Sequence, residues 1–255
     1  MPIAELPARG VVSVCGPDSR VFLQGLVSND VSQVAPGQPA VWAALLTPQG
    51  KWLADFFLIA HGERILLDCE RGQASWLVAH LARYRLRARV EIADESDRWA
   101  VFAAWGETAP GGLAARDPRL PEAGWRRLAQ PGTVLCDATE ADYDRHRLTL
   151  GLPDGSRDLE SGRTVLLEAG FDELNGISWT KGCWMGQELT ARTKYRGLGQ
   201  KAPRSGAGRR SAARGGQSHP WRRNRGWRHP FGPEGPGPRA PSPRGLGRLQ
   251  PPSVR

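Results

Sequence analysis

Leu166–Gly197 reads LLEAGFDELNGISWTKGCWMGQELTARTKYRG, and the rest of the chain is organised around it. A lone cysteine, Cys183, lies between Lys181-Gly182 and Gly186. Gln187-Glu188 follows, then Arg192, Lys194, Tyr195, Arg196 and Gly197. Glycines on both sides of a thiol imply a bent, closely approached backbone. Met185–Lys194 carries the pattern of a short helix, which puts Cys183 at or just before its N-terminus. Unpaired N–H groups and the helix dipole favour a thiolate there, and Lys181 adds positive charge nearby. The competing reading is an inert, half-buried small residue. Against it stands the crowding of Lys, Cys, Gln, Glu and two Arg between positions 181 and 196, which core packing does not need.

The same residues carry a resemblance. Lys181-Gly182-Cys183-Trp184-x-Gly186-Gln187-Glu188-x-x-Ala191-Arg192-x-x-Tyr195-Arg196-Gly197 resembles the signature of the YgfZ family almost throughout its length. Members of that family are folate-binding relatives of the glycine-cleavage T-protein, an aminomethyltransferase. They act in the assembly or repair of iron–sulfur enzymes, including those that methylthiolate tRNA. The resemblance implies an α+β fold of pseudo-symmetric lobes, antiparallel sheets with packed helices around a central tetrahydrofolate cavity. It also implies a functional thiol at Cys183 assisted by Lys181. Gly182, Gly186, Gln187, Glu188, Arg192, Tyr195, Arg196 and Gly197 then belong to the motif, and Asp55 and Tyr143 border the folate.

The chain has 255 residues, room for one large domain or two small ones. No window reaches the length of an uncharged apolar membrane span, and MPIAELPARG lacks the apolar core of a secretory signal. Cys15, Cys69, Cys136 and Cys183 lie far apart with no C-x-x-C pair, which argues against a zinc ribbon or a cysteine-only cluster site. Unpaired cysteines without a signal fit a reducing cytoplasm. The net charge of +9 is not a property of the whole chain. Residues 198–255 hold 13 of the 35 Lys and Arg against one acid, Glu234, so residues 1–197 carry 22 bases and 25 acids.

Taken in order, Val11–Val14 reads as a strand and Arg20–Val27 as an amphipathic helix after Asp18-Ser19, ended by Asn29-Asp30. The G-x-D-x-x-x-F-L-Q-G-x-x-x-x-D pattern from Gly16 to Asp30 also resembles the start of YgfZ proteins, which would set Gln24, Gly25 and Asp30 at the ligand cavity; a capped helix and its exit turn account for them equally. Val41–Leu46 and Trp52–Ala60 read as strands joined by a Pro/Gly hairpin turn, with Ile65–Asp68 the next strand. In the T-protein this meander carries an Asp-Asp pair. Here the pair is Ala54-Asp55, so aminomethyl transfer is in doubt, and Asp55 reads as a ligand contact or as an outward strand residue. Gln73–Arg87 reads as a helix with Trp76, Leu77, His80, Leu81 and Tyr84 on one stripe, His80 as a hydrogen-bonded core residue, and Arg83, Arg85, Arg87 and Arg89 as a basic cluster at a solvated helix end. Val90–Ile92 and Trp99–Trp105 read as strands, residues 106–133 as a Gly/Pro/Ala-rich loop zone, and Ala138–Arg147 as a helix capped by Thr139. Glu168 fills an acid of the family's pattern or caps a turn.

The organisation expected is therefore a YgfZ/T-protein-like region over 1–197, made of two interleaved subdomains with an internal boundary around 50–135, and a tail over 198–255. That tail has 11 Gly, 10 Pro and four aliphatic residues in 58 positions, and no period of 2.0 or 3.6. Such composition predicts disorder. The family continues at this point into a third, β-barrel domain, which is not legible here. A shifted reading frame near Leu198–Lys201 of a GC-rich gene accounts for the change, and so does a basic arm that binds nucleic acid through its charges, Trp221 and Trp227.

Four functions are compatible with these residues. The first is a folate-binding iron–sulfur maintenance factor using Cys183, with iron–sulfur client proteins as partners and no membrane. The others are a tetrahydrofolate-dependent aminomethyltransferase, a nucleic-acid binder through the tail, and a product inactivated because its cavity is open on one side.

Overall fold

The computed structural model describes residues 1–199, and the architecture below is theirs. Nine strands and four α-helices build an α+β fold around two antiparallel sheets. The strands are β1 (Ile3–Glu5), β2 (Arg9–Cys15), β3 (Val41–Leu46), β4 (Trp52–His61), β5 (Arg64–Glu70), β6 (Glu91–Asp94), β7 (Ala100–Ala104), β8 (Leu113–Arg116) and β9 (Trp125–Ala129). The helices are α1 (Ser19–Gln24), α2 (Ala74–Ala82), α3 (Glu140–Leu150) and α4 (Gln187–Gly199). One sheet runs β3-β4-β5-β2-β6 and the other β1-β7-β9-β8.

Two faces of the five-stranded sheet are covered, which is why β3 and β4 read as almost unbroken apolar runs. Its outer face (Ala43, Leu45, Phe56, Leu58, Ile65, Leu67) packs on Phe22 and Leu23 of α1 and Leu77 and Leu81 of α2. Its inner face (Val11, Trp42, Ala44, Phe57, Ile59, Leu66) shares a core with Val101, Ala103, Ala115 and Leu128 of the second sheet. Strand alternation therefore aims residue 55, with 57 and 59, into the space between the sheets.

Several expectations are corrected. The helix expected through Arg87 stops at Ala82, and Leu86 sits at φ 42° in the turns that follow. Only Ala74, Leu77 and Leu81 of α2 are buried, so the arginine-rich end has no apolar side chain to hold it against the sheet. The loop zone over 106–133 contains β8 and β9, both paired antiparallel. The inward residues of β9 are Arg126 and Leu128, and an inward arginine erases the apolar alternation that marks a strand. The expected helix over Ala138–Arg147 is α3, whose Thr139 hydroxyl accepts from the Asp142 N–H while Asp142 accepts from the Thr139 N–H. The motif helix begins at Gln187 rather than Met185 and runs five residues past Lys194. From residue 200 on, the expectations of a disordered tail, an absent barrel domain and a nucleic-acid arm lie outside the described residues.

Candidate functional site

The motif is held by its neighbours on either side of the cysteine. Lys181 Nζ donates to the carbonyls of Val27 (2.7 Å) and Asn29 (2.8 Å). Burial lowers its pKa to about 8 against the opposing pull of Asp30. Trp184 is buried in the inter-sheet core, and the Met185 N–H reaches the Gly25 carbonyl at 3.1 Å. Gly186, at φ 81°, lies against the β3–β4 hairpin so closely that a Cβ would come within 2.9 Å of Leu46 Cδ1 and Thr47 O and 3.0 Å of Gly50 Cα. Gly182, at φ 94°, has nothing within 4 Å of the same position. With Lys181 and Trp184 pinned, the backbone between them turns outward and leaves Cys183 exposed, four residues before α4.

Inside α4 the first turn is closed locally. Gln187 Oε1 accepts from the Trp184 N–H at 3.3 Å, and the buried Thr190 donates to the Gly186 carbonyl at 3.0 Å. Lys194 pairs with Asp172 at 3.1 Å and lies 4.0 Å from the Trp179 ring, which fixes the helix to the preceding loop. Glu188, Arg192 and Tyr195 point to solvent, and Gly197 lies in the helix. The Arg196 side chain lies outside the described residues.

From the motif a bonded path leads inward. Asn29, whose carbonyl holds Lys181, donates through Nδ2 to the Trp42 carbonyl at 2.8 Å. Trp42 Nε1 donates to Asp55 Oδ2 at 2.9 Å. Asp55 is 5% exposed, and its Oδ1 is buried with no hydrogen-bond partner. Burial pushes its carboxyl above the ordinary range, against the pull of Arg9. The reading of Asp55 as an outward strand residue is therefore overturned, because β4 has no outward face. Ala54 points the other way, into the face covered by α1 and α2. An acid at 54 would not share a site with Asp55, so its absence does not bear on the site's chemistry.

Around Phe57, two positions along β4, three guanidinium groups gather: Arg126 at 4.3 Å, Arg119 at 4.8 Å and Arg9 at 5.9 Å from the ring centroid. Asp68 takes Arg9 at 2.7 Å and Arg126 at 2.9 Å, and Asp117 takes Arg119 at 2.7 Å, all of them buried. Buried charges require such pairing. Tyr143 is buried at the edge of this cluster, its hydroxyl accepting from Arg126 at 3.3 Å. A cleft of about 400 Å³ opens beside it, lined by Arg9, Glu70, Arg71, Asp154 and Arg157 among others. Gly155, between two lining residues, separates the cleft from the acid: a Cβ there would lie 3.1 Å from Glu70 Oε2 and 4.0 Å from Asp55 Oδ1.

The structure thus brings Lys181, Gly186 and Gln187 together with Gln24, Gly25 and Asp30. Gln24 bonds Asp30 at 2.9 Å in that loop. Asp55 and Tyr143 sit in a second group beneath it. Glu168 stays exposed in a turn, and His80 is half-buried with Nε2 lacking a partner, against its reading as a hydrogen-bonded core residue. Trp42, Arg9, Asp68, Arg119 and Arg126 were not singled out from the sequence. Isolated arginines on short strands look like edge decoration until the opposing sheet is in place. Among the described residues no group of three or more His, Cys, Asp or Glu is placed to hold a metal ion.

Comparison with known proteins follows the same lines. The aminomethyltransferase T of the Bartonella henselae glycine cleavage system superposes with a TM-score of 0.61 at 17% identity, covering 76% of this chain and 63% of that one. The fold is accordingly that of the glycine-cleavage T-protein class. No protein-family model matches the chain. The human iron–sulfur cluster assembly factor IBA57, mitochondrial, is 37% identical over 228 residues, 77% of this chain and 64% of that protein. The IBA57 homologue of Mycosarcoma maydis is 36% identical over 222 residues, 78% of this chain and 55% of that protein. Over about three quarters of its own length the chain is similar to these iron–sulfur cluster assembly factors. It spans less than two thirds of the length of these curated relatives.

Proposed function

We propose that this chain is a folate-binding factor for the assembly or repair of iron–sulfur proteins, tRNA-modifying enzymes among them, with Cys183 as its functional thiol. The observation that carries the reading is the bonded path Lys181–Asn29–Trp42–Asp55, which ties the segment presenting the thiol to a buried acid between the sheets. Three hydrogen bonds connect the two ends. Similarity to the IBA57 proteins supports the iron–sulfur role.

One buried group suits a reduced folate. Asp55 Oδ1 is a buried acceptor without a donor, and a carboxyl with a raised pKa can also offer its proton to a ring nitrogen. Phe57 and Trp42 are themselves buried against the guanidinium groups and Phe171, and the neighbouring cleft reaches this cluster through Arg9, with Gly155 between the cleft and the acid. When bound, tetrahydrofolate would supply a one-carbon-carrying or reducing nitrogen centre. The chain's own part is to bind and orient it at Asp55 and to present Cys183 to a client protein in solvent. Gln187, Glu188, Arg192 and Arg196 serve that presentation as the first turns of the motif helix. We read the unpaired cysteines as fitting a reducing compartment, the cytoplasm, while the curated relatives above are named mitochondrial.

Titration with tetrahydrofolate, followed by tryptophan fluorescence, tests the site: saturable quenching in wild type, lost in Asp55→Ala, is expected. Complementation of a deletion strain tests the thiol, and a Cys183→Ala variant as active as wild type would sink it. Aminomethyl transfer remains a second reading, because the acid between the sheets, Asp55, is present. Absence of methylene-tetrahydrofolate formation with the lipoyl carrier protein would dispose of it.

A further inference from the structure

On the outer face of α2 and in the turn beyond it lies a surface that the site does not use. Trp76, His80 and Tyr84 form a ladder at i, i+4 and i+8, with ring centroids 4.7 Å and 5.5 Å apart. Trp76 is 41% exposed although the stripe's other side, Leu77 and Leu81, is fully buried. The ladder runs directly into Arg83, Arg85 and Arg87, all exposed and in no ion pair among the described residues, whereas Arg89 is held by Asp18. Between them Leu86 stands 90% exposed at φ 42°, in a turn closed by the Ala88 N–H on the Arg85 carbonyl at 2.7 Å. A left-handed leucine is strained, and the exposed Leu86 side chain makes no packing that offsets the strain.

We propose that the ladder and this hook form a docking surface for a partner protein that presents an acidic segment with an apolar residue, Leu86 entering the partner and Arg83, Arg85 and Arg87 pairing its carboxylates. Charge complementarity selects the partner. Residues 1–197 carry 25 acids against 22 bases, so within that part of the chain Arg83, Arg85 and Arg87 are a local positive patch on an otherwise slightly acidic body, matched by a short acidic segment. Exposed Trp76 and arginines with a half-buried Tyr84 around one apolar anchor match the composition of protein interfaces. One leucine and three arginines are too little to hold a protein on a membrane, where even a single acyl chain gives marginal binding.

The test uses the full chain and three probes: a synthetic 16-residue peptide of Asp and Glu with spaced Leu, phosphatidylserine-containing vesicles, and a 20-nucleotide single-stranded RNA. Binding of the peptide is expected, weakened about 30-fold by the triple reversal Arg83→Glu, Arg85→Glu, Arg87→Glu, on the scale of a few exposed charge pairs. Leu86→Asn, which suits the left-handed turn, is expected to leave thermal stability unchanged or raised while weakening the peptide several-fold. Peptide affinity unmoved by both variants, or no peptide binding, overturns the proposal. Vesicle or RNA binding that is lost with the triple reversal while the peptide fails overturns it in favour of that partner.

Discussion

Replacing Gly186 with alanine adds one methyl group at the point where the motif meets the β3–β4 hairpin. Two separate effects follow. The backbone there has φ 81°, which an L-residue adopts at about 1–2 kcal/mol. The new Cβ also lands 2.9 Å from Leu46 Cδ1 and Thr47 O and 3.0 Å from Gly50 Cα. Leu46 can swing a methyl aside, but Thr47 O is backbone already accepting from the Gly50 N–H at 2.8 Å and cannot move without opening the turn. Overpacking of this kind adds about 1–3 kcal/mol, for a total of roughly 2–5 kcal/mol. Gly182→Ala is the internal control: its φ of 94° brings a comparable backbone cost of about 1–2 kcal/mol, with no atom near the added methyl. Urea unfolding of both variants at unchanged m-value separates the terms. Gly186→Ala should be the less stable by about 1–3 kcal/mol. Equal stabilities within about 0.5 kcal/mol would refute the claim that the motif is seated on the hairpin by close backbone contact.

Other expectations concern the two ends of the bonded path. Because burial lowers the Lys181 pKa to about 8, the folded state sheds a proton that the unfolded chain keeps, so stability rises as pH climbs from about 8 toward the unfolded lysine value. Lys181→Met should flatten that rise in denaturation curves, and a slope identical to wild type would count against the clamp. The raised pKa of Asp55 has the opposite sense: its contribution is present below the unfolded carboxylate pKa and is lost as pH rises through the folded value. Asp55→Asn keeps an acceptor for Trp42 Nε1 and should remove that loss, so a variant whose stability declines with pH as wild type does would contradict the buried-acid reading. Downstream of codon 198, translating the other frames of the gene should reveal alternating apolar strands and glycine turns; stop codons in both would refute a frame change.

Much of the fold was legible because local signals and burial agree. Val41–Leu46 was predicted to the residue, and Trp52–His61 to within one, since a strand covered on both faces is apolar throughout. Thr139 was legible as a cap because capping chemistry is local. The misses share one cause. β9 looks like loop because Arg126 occupies an inward position, and Arg126 is tolerated there only because Asp68, from the other sheet, is 2.9 Å away. The end of α2 looked helical because propensity says nothing of whether a face has something to pack on. Adjacency in sequence sets Lys181 beside Cys183, whereas the ammonium donates to the carbonyls of Val27 and Asn29, about 150 residues earlier.

The sequence by itself determined the family motif, the strand-rich middle of the chain and the change of composition after Gly197, all properties of neighbouring residues. Tertiary structure alone decided that Asp55 is buried while Ala54 faces the opposite layer. It also decided that Cys183 is exposed between two pinned neighbours, and that arginines from β2, β9 and the loop after β8 converge on Phe57. These depend on which faces of two sheets meet. Sheet pairing joins residues far apart in the chain, and no local pattern encodes which partner will satisfy a buried charge.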